Sequence, residues 1–311
     1  MWALVAVGIA WVVVRLLGLE RGYPLVPLMA YTPYVAVLAV PVVLAAAALR
    51  IWPAAGAAAA VTVVLAILVL PRAFGSGDGS ESGGQRLGVL AANLMLGNAD
   101  PDALVELVRS EEIDVLAVQE LTPRALAALR RAGLDELLPE RAVFPAPRSG
   151  GSGVFARYPL RGADTVESGL GGFAMARARL AVPGGREIGV VSVHPVPPTS
   201  TTQVEMWSAG LESLPRATGD GDAWVLAGDF NATLDHVELR DLMDSGYVDA
   251  ADAAGFGLSP TWPSDDLLPP PVTIDHVLAD ERLAVGDASV HDLPGSDHRA
   301  VAAELFLPAV P

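Results

Sequence analysis

Several aliphatic runs in this chain stop at a side chain that can bind a metal ion or carry a proton. Residues 89–92 run into Asn93, residues 114–118 into Gln119 and Glu120, residues 190–193 into His194, and residues 224–227 into Gly228-Asp229-Phe230-Asn231. Two later groups have the same character: Asp275 and His276 within 273–278, and Ser296-Asp297-His298 directly before 300–305. Glu120, Asp229, Asp275 and Asp297 supply hard carboxylate oxygens, and Asn93 and Asn231 supply amide oxygens, a donor set that suits Mg²⁺ or Mn²⁺. His194 and His298 add nitrogens that titrate near neutrality. A divalent ion, a water-orienting carboxylate and two histidines are what hydrolysis of a phosphate ester requires, because its transition state spreads negative charge over the phosphoryl and leaving oxygens. The chain has no cysteine, and all 20 of its basic residues are Arg. That excludes thiolate metal sites, thiol nucleophiles and lysine Schiff bases.

Side chains so far apart in sequence meet only if secondary structure delivers them. The apolar runs are short and bounded by turn residues, and they read as strands over 86–92, 114–118, 153–155, 175–181, 187–193, 224–227, 273–278 and 300–305. Asp100-Pro101 predicts a helix with a side-chain cap and proline in its first turn, its apolar face set by Leu104, Val105, Leu107 and Val108. Thr122-Pro123 opens a second helix that Gly133 ends, and further helical patterns lie near 203–214 and 237–244. The domain is therefore expected to be mixed α/β with strands in the majority, and strand ends beside loops are where such scaffolds build sites. Taken alone, Asn93 reads as a strand-end turn residue, Ser296-Asp297 as a turn cap and Asp275 as the ion-pair partner of an Arg; the joint pattern is what points to a site. His236 and His291 stand outside any motif and read as surface histidines, and Trp262 suits either a site loop or packing.

The chain as a whole is divided. A mean hydropathy of +0.42 coexists with a net charge of −16. Residues 1–71 carry only Arg15, Glu20, Arg21 and Arg50 as charged side chains, which leaves 17 Arg against 35 acids, a net −18, in the remainder. Three apolar stretches, 1–19, 23–49 and 51–70, each have the reach of a bilayer core of about 30 Å and are predicted as three transmembrane helices, the second kinked at Pro33 and Pro41. The first lacks a basic leader and is followed by two more, unlike a cleaved signal peptide. Residues 72–85 are a Gly/Ser-rich linker, so the domain over 86–311 is expected to hang near the lipid surface with freedom to turn. The expected location is a multi-pass place in the cell membrane; the balance of Arg across the spans is close to neutral as to side.

The motifs VLAANL, IDVLAVQE, SGGSGVFARYPL, VVSVHP, WVLAGDFNATLD, TIDHVL and GSDHRAV stand in this order across about residues 86–307. In these the chain resembles the endonuclease/exonuclease/phosphatase (DNase I-like) superfamily. The resemblance implies a four-layer sandwich of two mixed β-sheets flanked by helices, and a metal-dependent phosphoric ester hydrolase. It implies Glu120 as principal metal ligand, assisted by Asn93 and Asp297, and Asp229 as the group that orients or deprotonates the attacking water. Asn231 would hold a phosphoryl oxygen, His298, oriented by Asp275, would stabilise the pentacovalent transition state, and His194 would assist the leaving group. The family often carries Arg directly before the Ile-Asp pair, where this chain has Thr273. The arrangement of apolar segments before such a domain is similar to the membrane-anchored actinobacterial type that includes a teicoplanin-resistance membrane protein, which implies an extracytoplasmic domain acting on lipid-linked phosphates. The expected substrate is a lipid-linked or small phosphate. A nuclease is the alternative, disfavoured by the net −18 and by the lack of an Arg cluster beyond Arg130-Arg131. A non-catalytic binding domain is the second alternative, and the filled motif positions speak against it.

Overall fold

The apolar amino-terminal region folds as helices that break where the sequence carries helix-stopping residues. Helix α1 (Trp2–Leu17) ends at Gly18, whose left-handed φ of 58° lets its N–H turn back onto the Val14 carbonyl. A short α2 (Leu25–Met29) follows, then α3 (Thr32–Ala48) and α4 (Trp52–Val69), which runs on into a 3-10 turn at Leu70–Ala73. The segment 23–49, expected as one span, is thus divided in two. Pro33 sits in the first turn of α3, where a missing N–H costs nothing, and only Pro41 lies inside the helix. Among the described residues the one helix long and apolar enough to cross a membrane is Trp52–Ala73; α1 and α3, at 16 and 17 residues, are shorter. The three long helices pack through Val5, Ala46, Ala54 and Ala58 and through Val12, Val61 and Leu65, while their outward faces leave Leu, Val and Ile exposed.

The computed structural model describes residues 1–75, 84–183, 186–219 and 221–308. In the domain, alternation with period two decides the architecture. Along β1 (Gln85–Asn93), Leu87, Val89 and Ala91 pack on one side, and Leu90 and Ala92 on the other. A strand buried on both faces must lie between two layers, which is why its sequence is almost uninterrupted apolar. Its sheet contains β2 (Val115–Gln119), β3 (Glu140–Phe144), β4 (Ser152–Ala156), β11 (Ala284–Asp292) and β12 (Arg299–Leu307), in the order β11-β12-β1-β2-β4-β3. The second sheet is built from β5 (Leu160–Val166), β6 (Met175–Val182), β7 (Arg186–Val193), β8 (Ala223–Asp229), β9 (Tyr247–Asp249) and β10 (Asp275–Asp280), in the order β5-β6-β7-β8-β10-β9. Val190, Val225, Ala227 and Val277 of the second sheet meet Leu87, Val89, Val115 and Ala117 of the first in one shared core. The outer face of the first sheet is covered by α5 (Pro101–Ser110), α6 (Pro123–Arg131) and the short α7 (Leu134–Leu137), and that of the second by α8 (Thr201–Glu212) and α9 (Val237–Met243). The result is the expected mixed α/β arrangement of two mixed sheets flanked by helices.

The helical region is locked to this domain. Gly18 lies so close to α9 that a Cβ there would stand 2.7 Å from Val237 Cγ2. Arg15 Nε donates to Asp235 Oδ1 at 2.7 Å, and Arg72 Nη1 and Nη2 donate to Asp235 Oδ2 and Oδ1, each at 2.8 Å. All three side chains are buried. Burial alone would raise the Asp235 carboxyl; the hydrogen bonds and charges of Arg72 and Arg15 outweigh it and hold the pKa below the ordinary carboxylate value. Glu20 Oε1 accepts from the backbone N–H of Val237 at 2.6 Å. His236, expected at the surface, is only 1% exposed. Its Nδ1 accepts from Thr233 N–H at 2.9 Å, which leaves Nε2–H to donate to the Val26 carbonyl at 3.0 Å. Val26 itself enters the core formed by Trp207, Phe230 and Leu234. The expectation of a domain free to turn on its linker is therefore corrected: Arg72, assigned to that linker, is buried against the domain, and Gly75 packs against Ala253 and Ala254. Residues 76–83 of the linker lie outside the described residues.

Candidate active site

Strand direction gathers the chemistry at one edge of the sandwich. Parallel β1 and β2 end side by side, with Asn93 opposite Gln119, so Asn93 and Glu120 emerge together. Parallel β7 and β8 deliver His194 and Asp229 in the same way, with Val193 opposite Gly228. Because β10 and β12 run antiparallel to their neighbours, it is their beginnings that reach this edge: Asp275 pairs with Asp229, and His298 precedes β12 beside the end of β1. All eight residues singled out from the sequence (Asn93, Glu120, His194, Asp229, Asn231, Asp275, Asp297 and His298) meet there. Gly228, at a φ of 149°, has no room for a side chain, since a Cβ would stand 2.2 Å from the carbonyl oxygen of Val193 on the neighbouring β7 and 2.7 Å from Gln119 Nε2 of the facing sheet. Glu120 and Asn231 hold left-handed φ values of 58° and 48°, a strained backbone state for such residues that aims both side chains into the cleft.

The side chains form a connected set. Asn93 Nδ2 donates to Asp229 Oδ2 at 3.1 Å, and Asn231 N–H donates to Asp229 Oδ1 at 2.8 Å. His298 Nδ1 lies 2.9 Å from Asp275 Oδ2, and its Nε2 lies 3.8 Å from Asp229 Oδ2. His194 Nε2 stands 3.7 Å from Asp229 Oδ2 and 4.0 Å from Glu120 Oε1. Glu120 Oε2 accepts from the Leu96 N–H, and Asp297 Oδ2 accepts from Trp262 Nε1 at 3.1 Å. Burial raises the pKa of Asp229 more than the charge of His298 lowers it, and Asp275 adds a smaller rise. Burial would lower His298, but the carboxylates of Asp275 and Asp229 overrule it and push its pKa up, so that at neutral pH it is an imidazolium. His194 goes the other way: burial, helped by the charge of His298, lowers it to about 3 and leaves it neutral. Glu120 is raised, chiefly by burial.

The donor chemistry fits a divalent cation. Three carboxylates, Glu120, Asp229 and Asp297, line one cleft with Asp275 held against His298, burial raises Glu120 and Asp229, and among the described residues lining the cavity there is no Arg to neutralise them. The tightest group of ligand atoms, Asp229, Asp275 and His298 within 4.8 Å of one another, owes its closeness to the His298–Asp275 hydrogen bond, which already occupies His298 Nδ1. Glu120 Oε1, facing His194 across 4.0 Å, is the freer oxygen.

Sequence reasoning singled out the Thr261-Trp262 loop without a role for Thr261, and it missed Phe173 and the apolar wall. Thr261 Oγ1 accepts from the N–H groups of Ile274 and Asp275 at 3.0 and 3.1 Å and so fixes the approach to β10. Phe173 stacks 4.8 Å from the His194 ring. Tyr23, Pro27, Leu28 and Tyr31, from the apolar region, form one wall of the cavity. The signal for that wall was present as Pro24, Pro27 and Pro33 among tyrosines, a composition poor for an unbroken span.

Residues 90–298 match the profile of the endonuclease/exonuclease/phosphatase family. The chain belongs to that family. Family members are generally metal-dependent phosphoester hydrolases. The fold is similar to that of the family structure from Beutenbergia cavernae DSM 12333, with 19% identity, 73% of each chain covered and a TM-score of 0.54. It is also similar to the family protein from Leptotrichia buccalis C-1013-b, with 14% identity, 71% of this chain and 100% of that one, and a TM-score of 0.54. TDP2 from C. elegans gives 16% identity over 74% and 78% of the two chains, with a TM-score of 0.56. A search of curated proteins finds no match.

Proposed function

We propose that this family member is a divalent-metal-dependent phosphoester hydrolase held at the membrane, with a small or lipid-linked phosphate as its substrate. The observation that carries the reading is the linked set Asn93–Asp229 and Asp275–His298 at a cavity whose described lining residues include three carboxylates, Glu120, Asp229 and Asp297, and no Arg. Glu120, Asn93 and Asp297 are the residues that would hold Mg²⁺ or Mn²⁺, which when bound neutralises phosphoryl oxygens and acidifies water. Asp229, raised by burial, takes the proton of the attacking water. Water oxygen bonds to phosphorus, the P–O bond to the alcohol breaks, and a proton ends on the departing alcohol. Asn231, whose Nδ2 is anchored on the Pro195 carbonyl at 3.1 Å, offers its other amide hydrogen to a phosphoryl oxygen. His298, held by Asp275, meets the charge that develops on the phosphoryl group, while neutral His194 steadies the leaving oxygen by hydrogen bonding.

The unit boundaries belong to the same proposal: a membrane region over 1–71 and the hydrolase over 86–311, joined by residues 72–85, of which Arg72 and Gly75 pack on the domain and Gln85 opens β1. Helices α1, α3 and α4 sit together in the bilayer, a reading supported by their outward apolar faces, and the catalytic domain faces the extracytoplasmic side. The full chain, purified in detergent, is assayed with Mg²⁺ and Mn²⁺ on ethyl phosphate, decyl phosphate and plasmid DNA. Turnover of an alkyl phosphate is expected. Hydrolysis of no phosphoester with either ion overturns the enzyme, and rapid nicking of plasmid without alkyl phosphate turnover makes it a nuclease.

A further inference from the structure

The cavity over the catalytic set has a volume of about 720 Å³ and two unlike walls. One is the polar edge of the sandwich. The other comes from the stretch between α1 and α3, which the domain grips from behind: Val26 and Met29 are 1% and 0% exposed, and the Val26 carbonyl is held by His236. With those two side chains committed to docking, Pro27, Leu28 and Tyr31 are left on the cavity side, together with Tyr23. Leu28 is 41% and Tyr23 52% exposed. Large apolar side chains held open beside buried carboxylates have no packing role to account for them. Their placement is not incidental, because the Arg15–Asp235 ion pair and the Glu20 contact to Val237 fix the start of the stretch, and the Tyr34 hydroxyl, donating to the Pro271 carbonyl at 2.7 Å, fixes its far end. The phosphate chemistry lies on one wall, and the other, apart from the two tyrosine hydroxyls, offers apolar contact. A ligand that satisfies both is a phosphoester whose alcohol begins with a long hydrocarbon chain. The stretch is also the continuation of apolar helices, so a chain leaving the cavity along it passes onto the exposed apolar surface of α1 and α3.

We infer that Tyr23, Pro27, Leu28 and Tyr31 are specificity-determining residues that bind the hydrocarbon next to the phosphate, so that the amino-terminal region is half of the substrate pocket as well as an anchor. The inference rests on the hydrolase reading and deepens it by naming the substrate class: phosphoesters of long aliphatic or polyprenyl alcohols, in place of small soluble phosphates.

The natural absence of cysteine gives a test that does not depend on turnover. The full-length Leu28→Cys protein in detergent with Mg²⁺ is labelled with a maleimide in the presence of decylphosphonate or ethylphosphonate, whose C–P bonds resist hydrolysis. Decylphosphonate slows labelling at least tenfold and ethylphosphonate does not. In parallel, kcat/KM of the wild type rises about fourfold per methylene along an alkyl phosphate series while the chain is still entering the pocket. Leu28→Glu lowers the decyl-to-ethyl ratio of kcat/KM at least tenfold, mainly through KM, and Leu28→Met retains it. Labelling indifferent to decylphosphonate, or an unchanged ratio in Leu28→Glu, overturns the inference. Protection by decylphosphonate with no turnover of any phosphoester leaves the pocket standing and overturns the hydrolase reading alone.

Discussion

Asp275 acts through His298. Its Oδ2, 2.9 Å from Nδ1, fixes the ring and keeps it charged. A histidine with a raised pKa stays protonated until pH climbs through that value, so activity that needs the imidazolium persists into alkaline solution. Asp275→Asn removes the carboxylate that contributes most to this rise, and the alkaline limb of the pH–kcat profile is expected to move toward lower pH; a limb that stays in place would falsify the role given to Asp275. His298→Ala and Asp229→Ala remove the groups that the proposed mechanism places at the reacting atoms, and each should reduce kcat by about 10²–10⁴ with little change in thermal stability. Chelation should abolish turnover of the wild type, with recovery on adding Mg²⁺ or Mn²⁺; full activity after exhaustive chelation rules out the metal. Residue types and spacing made this set legible in the sequence, because each member closes or precedes an apolar run. His236 was not legible. Nothing beside it marks it as buried, and only the arrival of Val26 from 210 residues away turns a surface position into a core one.

At the scale of elements, the central strands were readable and the edge strands were not. The strands with no counterpart in the sequence pattern are β3, β5, β9 and β11, and these are the four edges of the two sheets. An edge strand has one hydrogen-bonded neighbour and a largely solvated surface, so β5 reads Leu-Arg-Gly-Ala-Asp-Thr-Val and leaves most of its residues exposed. Central strands must be apolar on both faces and announce themselves. The docking of the helices depends on Asp235, and Asp235→Ala, which strands two buried guanidinium groups, should destabilise the full chain by about 3–5 kcal/mol, read as a fall in its melting temperature. The interface also carries a pH signature. His236, pushed down by burial to about 4 from an ordinary 6.5, binds its proton more readily when undocked. Its contribution is complete above 6.5 and is lost as pH falls toward 4. Asp235, whose pKa is depressed, contributes above 3.8 and is lost only in stronger acid. Acidification from 6.5 to 4 should therefore loosen the 19–31 stretch through His236 first, and His236→Gln should flatten the fall in melting temperature over that window; parallel profiles for the two proteins would exclude His236 as the cause.

At the scale of the molecule, the contrast between a mean hydropathy of +0.42 and a net −16 is resolved by a helical region and an acidic hydrolase domain that share one interface. The full chain is expected to stay with membranes through alkaline carbonate washing, and release into the supernatant would contradict a bilayer-embedded bundle. A single cysteine placed on the exposed domain surface should be labelled by an impermeant maleimide in intact cells, and absence of labelling would put the domain on the cytoplasmic side. The sequence alone determined the family and singled out eight residues that the fold brings to one edge, because ordered motifs and interrupted apolar runs are local properties of the chain. It also determined that two parts of unlike polarity exist. Tertiary structure decided how they are joined. Whether Arg15 and Arg72 find Asp235, and whether the stretch from Tyr23 to Tyr31 spans lipid or walls a pocket, depends on contacts between residues some 160 to 240 positions apart, and no window of sequence contains both partners.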